Sequence, residues 1–193
     1  MKVTKAQVQA NRTRIVETAS TLFRERGYDG VGVADLMAAA GFTHGGFYKH
    51  FGSKTDLMAE AAACGFSQTA AENQGVDRVA FVEQYLSREH RDASGAGCTL
   101  AALSGDAARQ PDQVRQAFGD GIERLLAAAE SECGADGMAA RREARAERID
   151  AIAQVVGALV LSRACPDDSP LADEILDACR SAALSRLSTP KKA

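Results

Sequence analysis

The sequence predicts an all-α fold of about nine helices. Three observations lead there. Apolar residues recur at helical spacing along almost every segment, and no stretch alternates as a half-buried strand does. Gly, Pro, Ser, Asn and Asp fall between these segments as stops and caps. Apolar residues make up 46% of the chain but aromatic ones only 5%, with no Trp and abundant Ala, so the core is expected to be built from Ala, Leu and Val on helices.

The first helix is read from Lys5 to Arg26, where Val8, Ile15 and Leu22 repeat every seven residues beside Ala19 and Phe23. Gly27 ends it and Tyr28-Asp29-Gly30 is a turn. In the second, short helix, Val33, Leu36, Met37 and Ala40 form one stripe, and Gly41 supplies the stop. Thr43 is an N-cap residue for a third short helix, in which Phe47 and Phe51 face inward while His44, Tyr48, Lys49 and His50 face out. Ser53, with Asp56 three residues later, opens a fourth helix carrying Leu57, Met58, Ala61 and Phe66.

Residues 72–77 break the chain. A fifth helix holds Val79, Val82 and Leu86, with Phe81 and Tyr85 alongside, and stops before the loop Asp92–Gly97. Leu100, Leu103 and Ala107 mark a sixth. Pro111 opens a seventh with Val114, Phe118, Ile122, Leu125, Leu126 and Ala129 on one face. After a linker at 134–137, two last helices are read over about 138–164 and 170–187, separated by Cys165-Pro166-Asp167-Asp168-Ser169-Pro170. The eighth carries Ile149, Ile152, Val156, Leu159 and Val160. The ninth carries Leu171, Ile175, Cys179, Ala182 and Leu187.

Two short helices joined by a glycine turn, the second polar and basic outside, form a helix-turn-helix, and its partner is duplex DNA. Charge agrees. The net charge is −3, yet residues 1–55 hold eight Lys and Arg against four Asp and Glu. A basic head on an acidic body suits a protein that meets phosphate with one end. Other classes lack their signatures: no P-loop, dinucleotide fingerprint or Ser/His/Asp order is present, so the chain is not read as an enzyme and no cofactor is expected. His90 with Cys98 is the one thiol/imidazole pairing that an enzymatic alternative offers. The five cysteines show no CxxC pair and no metal-ligand spacing, so no metal is expected and the thiols read as reduced, mostly buried groups. The amino terminus has no apolar run of a secretory leader, and no stretch suits a membrane span.

The segment from Arg14 to about Leu57, through LFRERGY, the AxxAG turn, FYxHF and SKxxL, resembles the TetR/AcrR family of bacterial transcription regulators. That resemblance implies a three-helix DNA-binding domain over 1–53 and an effector-binding and dimerisation domain over 54–193, in a cytoplasmic homodimer. It assigns DNA contact to Thr43, His44, Gly45, Gly46, Tyr48, Lys49, His50 and Lys54. Arg12 and Arg14 are further candidates for a flanking phosphate. Gly32 departs from the family's usual Ser or Thr cap, and two adjacent glycines leave few side chains for direct base readout. An effector pocket is expected among Met58, Phe66, Phe81, Tyr85, Cys98, Leu103, Phe118, Ile122 and Leu126, with Cys98 the one thiol in a position to react. The last two helices would pair across a dimer through Ile152, Val156, Gly157, Leu159, Val160, Leu171, Ile175, Cys179 and Ala182, giving a four-helix bundle. The function implied is a ligand-responsive regulator, a repressor on a palindromic operator that a small molecule releases. The alternative is a helical small-molecule or thiol-dependent protein whose head no longer binds DNA.

Overall fold

The computed structural model describes residues 4–130 and 138–188. The linker expected at 134–137, and Cys133, lie outside the described residues. Among the described residues there are nine α-helices, two short 3₁₀ segments and no strand. The α-helices are α1 Lys5–Arg26, α2 Val33–Ala39, α3 Lys54–Glu72, α4 Arg78–Tyr85, α5 Arg88–Asp92, α6 Thr99–Ala107, α7 Asp112–Glu130, α8 Met138–Arg163 and α9 Pro170–Ser188.

Two compact units divide the chain, Met1–Thr69 with Cys98–Gly121, and Ala70–Gly97 with Ile122–Ala193. This division does not break at residue 53, because α6 packs on α1. Asp106 of α6 accepts the Tyr28 backbone N–H at 3.1 Å, just past the end of α1.

In the first unit α1 starts on a true cap, Thr4 accepting from the Gln7 N–H. It ends at Gly27, whose φ of 72° is open to glycine and whose N–H closes on the Phe23 carbonyl. Ile15, Val16, Ala19 and Phe23 form its buried stripe. Val8, expected on that stripe, lies two turns before Ile15 and is 42% exposed. α2 buries Leu36 and Met37 and closes in a Schellman turn, with Phe42 N–H on the Met37 carbonyl at 2.8 Å and Gly41 N–H on the Ala38 carbonyl at 3.0 Å. Gly41 holds φ 83° there.

On α7, Val114 and Phe118 are buried, and the Phe66 ring lies where a Cβ on Gly121 would be, 2.3 Å from the nearest ring carbon. That contact aims Gly121 inward. Ile122, expected on the buried face, is one helical step round from it and is 36% exposed.

In the second unit the expected fifth helix is two helices. Leu86, at φ −98° and ψ 39°, leaves the helical region, and Ser87 restarts it by accepting the His90 N–H at 3.1 Å. Asp77 caps α4 through Val79 and Ala80. α5 is pinned to the end of α8 by Arg91, buried, which donates to the Ser162 and Cys165 carbonyls and pairs with Asp92 and Asp167. α8 and α9 pack as an antiparallel hairpin. Its internal seam is Val155, Ala158, Leu159 and Ser162 against Ala172, Leu176 and Ala183. Leu159, expected at a dimer interface, is fully buried within the subunit and belongs to this seam.

Candidate nucleic-acid interface

The segment expected as a third short α-helix is a 3₁₀ helix, His44–Lys49. Gly45 and Gly46 each cost about 1 kcal/mol in an α-helix relative to Ala, and six residues are too few to repay nucleation. Thr43 has the extended backbone of an N-cap, φ −82° and ψ 150°, but its hydroxyl makes no capping bond. In the tighter helix the Thr43 carbonyl already takes the Gly46 N–H at 2.9 Å, the donor that a side-chain cap would use.

What holds the segment is tertiary. Phe47 and Phe51 are buried with ring centroids 5.5 Å apart, as their spacing predicted. Ile15 and Phe23 of α1 and Leu36 and Met37 of α2 are buried in the same unit. With both anchors inside, Thr43, His44, Gly45 and Lys49 are left exposed, and Tyr48 is 70% exposed. The Tyr48 ring stands edge-on to Phe47 at 5.3 Å and to His44 at 6.5 Å, so the phenol is aimed outward by packing. Gly46 is half-buried, and a Cβ there would stand 3.6 Å from Met37 Cε and 3.7 Å from Thr43 Oγ1.

His50 is half-buried, with Nδ1 enclosed and without a hydrogen-bond partner. Lys54 is half-buried too. Its Nζ donates to the Tyr28 carbonyl at 2.6 Å, which ties the start of α3 to the end of α1. Ser53 caps α3 as its position predicts, accepting the Asp56 N–H at 3.1 Å. The Gln113 side-chain amide and the Ser53 bonds hold the Asp56 carboxyl below its usual range, so a negative charge persists at this helix start. Arg14 reaches over the turn, its guanidinium 5.9 Å from the Phe42 ring. Arg12 turns inward onto Glu60 and the His50 carbonyl. No local spacing in the sequence signals that pairing.

The geometry thus offers a short convex ridge, polar and basic outside and fixed by two rings inside. A family model described as bacterial regulatory proteins, tetR family, matches residues 15–61, from the middle of α1 into α3. Residues 15–61 thus match the TetR family's DNA-binding region. An HTH-type transcriptional regulator of Mycobacterium tuberculosis is 32% identical over 122 residues, 57% of this chain and 60% of the relative. The HTH-type transcriptional repressor DhaR of Mycobacterium sp. (strain GP1) is 31% identical over 110 residues, 54% of this chain and 56% of DhaR. The chain therefore spans about 60% or less of the length of these curated relatives. Reduced Escherichia coli NemR superposes with a TM-score of 0.73 at 19% identity, covering 95% of this chain and 100% of NemR, which shows a shared fold.

Outside this TetR-family head, the expected pocket residues fall in both units. Met58, Phe66, Leu103, Phe118 and Cys98 are buried in the first, where Phe66 and Phe118 meet edge to face at 5.4 Å. Tyr85 and Leu126 are buried and Phe81 half-buried in the second, with Phe81 and Tyr85 rings 5.3 Å apart. Cys98 occupies the N-cap position of α6 without a capping bond. His90 donates Nδ1–H to the Tyr85 carbonyl at 2.7 Å. An open depression at the start of α8, lined by Met138, Ala139, Arg142, Glu143 and Ala146, uses none of the expected pocket residues.

Of the expected dimer residues other than Leu159, Val160, Leu171 and Ala182 are exposed, and Ile152, Val156, Gly157, Ile175 and Cys179 are half-buried. Among the described residues no helix is long and apolar enough to cross a membrane, and no cluster of His, Cys, Asp or Glu is placed to hold a metal.

Proposed function

We propose that the chain is a ligand-responsive transcriptional regulator, a repressor whose homodimer holds a palindromic operator in the cytoplasm and is released by a small molecule. The observation that carries the reading is the ridge at 43–50: exposed Thr43, His44, Gly45, Tyr48 and Lys49 on a segment that Phe47 and Phe51 fix from behind. Residues 1–53 form the DNA-binding domain and 54–193 the effector and dimerisation domain. Tyr48, Lys49 and His50 meet phosphates, while Thr43, His44, Gly45 and Gly46 approach base edges. Lys54 joins them by giving up its bond to the Tyr28 carbonyl.

In the dimer the two ridges would sit one helical turn of DNA apart, about 34–36 Å. An effector favouring another arrangement of the subunits lowers DNA affinity by the same factor that DNA lowers effector affinity. Two supports stand behind this: the match over residues 15–61 and the regulators among the relatives, of which DhaR is named a repressor.

The test is selection of genomic fragments on the purified protein, followed by gel shift across a salt series. Tyr48→Ala with Lys49→Ala should weaken binding at least tenfold and make the salt slope shallower by about 0.9 for the phosphate lost. Binding that persists unchanged in this double variant defeats the contact assignment. Screening small molecules for release of the selected fragment then tests the effector.

A further inference from the structure

Arg12 lies on α1, 38 residues from His50 and 48 from Glu60, and it joins both. Its Nε donates to Glu60 Oε2 at 3.2 Å and a terminal nitrogen donates to Oε1, so the guanidinium fork meets the carboxylate side-on. The other terminal nitrogen donates to the His50 carbonyl, at the end of the 3₁₀ segment. The guanidinium carbon stands 4.3 Å from the Phe51 ring centroid. Carbonyls at a helix end have no partner within the helix, and a charged donor satisfies this one.

The geometry points to a positioning role for this pair: Arg12, oriented by Glu60, fixes the C-terminal end of the DNA-facing ridge against α1 and α3, and does not itself contact phosphate. The role rests on the reading that the ridge meets DNA, and it adds a pair outside the ridge. The fork direction, the carbonyl and the ring face are all used inside the head. Arg12 can reach a phosphate only by abandoning them. Because Glu60 is on α3, a shift of α3 along α1 is felt at His50 through one side chain.

The two roles predict opposite signs for one substitution. Glu60→Gln removes a negative charge from the head and loosens the fork. If Arg12 serves DNA as a cation, this variant binds more tightly, because a repulsion is gone and Arg12 is released. If Arg12 positions the ridge, it binds more weakly.

The probe is the genomic fragment that the full-length wild-type chain itself selects, so a failure of DNA binding shows at the selection, before any variant is compared. Glu60→Gln and Arg12→Lys, which keeps the charge but lacks the fork, should each lose about five- to tenfold in affinity. Neither should change the salt slope, since no phosphate contact is lost. The double variant should be no weaker than the weaker single one, because both break the same unit. Amide exchange at His50 and Phe51 should quicken while α8 and α9 amides hold their protection, which separates local loosening from loss of fold. Tighter binding by Glu60→Gln, or unchanged affinity in both single variants, would each overturn the proposal.

Discussion

Gly45→Ala separates what the fold requires from what DNA requires. A Cβ built on Gly45 has nothing within 4 Å, and its φ is not in the left-handed region. No part of the free protein therefore demands glycine here. Alanine should stabilise the folded chain by about 0.4–1 kcal/mol, mainly by narrowing the unfolded ensemble. For a chain of this length that is a rise in Tm of about 1–4 °C. On DNA the sign reverses. If the ridge lies in the groove, the added methyl enters a packed contact, and overpacking of that kind costs about 1–3 kcal/mol, or about 5- to 150-fold in affinity. Thermal unfolding by circular dichroism and fluorescence anisotropy on the selected fragment read the two effects separately. A variant that is more stable and binds as well as the parent would show that Gly45 does not approach DNA.

Gly65→Ala makes the same chemical change at a site the fold does require: its Cβ would stand 2.3 Å from Thr99 Oγ1, 2.8 Å from an Arg24 terminal nitrogen and 3.0 Å from Ser20 Oγ. It should cost about 3 kcal/mol and lower Tm by about 6–12 °C, and a Tm within 2 °C of the parent (roughly 0.5–1 kcal/mol) would refute the packing argument. Burial holds the His90 imidazole below its ordinary value, the Tyr85 carbonyl opposes this, and the Arg163 cation adds to it. Above about pH 6.5 the ring is neutral in both states and adds no slope; below that the unfolded chain takes up a proton that the folded ring resists, so stability falls as pH drops. His90→Gln should make the urea midpoint less sensitive to acidification between about pH 7.5 and 5.5, and an unchanged difference would count against it. Leu171→Glu alters a side chain that is 52% exposed in the subunit, so it should leave the helix content intact while light scattering reports half the parent's mass. A parent that is already monomeric, or a variant that stays dimeric, contradicts the interface.

Much of the head was legible because its signals are local. Gly27 and Gly41 both stop helices and both hold positive φ, and Ser53 caps α3 through the Asp56 N–H. The spacing of Phe47 and Phe51 placed both rings inside. What misled was competition between local and tertiary terms. The glycine pair turned an expected α-helix into a 3₁₀ helix, and with it the Thr43 hydroxyl lost its capping role. Ser87, followed by Glu89 in the first turn of α5, is a helix start, but the apolar stripe of Val79, Val82 and Leu86 reads straight into it. Pairings such as Arg12 with Glu60, or Asp106 with the Tyr28 N–H, join residues 48 and 78 positions apart and leave no periodic trace. Pocket residues were harder still, because an interior Phe or Leu that lines a cavity and one that fills a core are spaced alike along a helix.

The last two helices show the same ambiguity in a form that carries an argument. The stripe read on α9, Leu171, Ile175, Cys179 and Ala182, is exposed or half-buried, while the subunit buries a different one, Ala172, Leu176 and Ala183. α8 repeats the pattern: Val155, Ala158, Leu159 and Ser162 turn in, while Val156 and Gly157, one helical step round, are half-buried and Val160 is exposed. A helix that serves only one neighbour needs a single apolar face, with charge opposite. Both of these helices carry two, and the second face of each holds small or branched residues where close approach is possible. Leaving Val160, Leu161 and Leu171 in water together would cost the apolar burial that gave them their place in the pattern. In the proposed homodimer, a second copy of the same hairpin presenting the same outer stripes across a twofold axis would cover all of them at once.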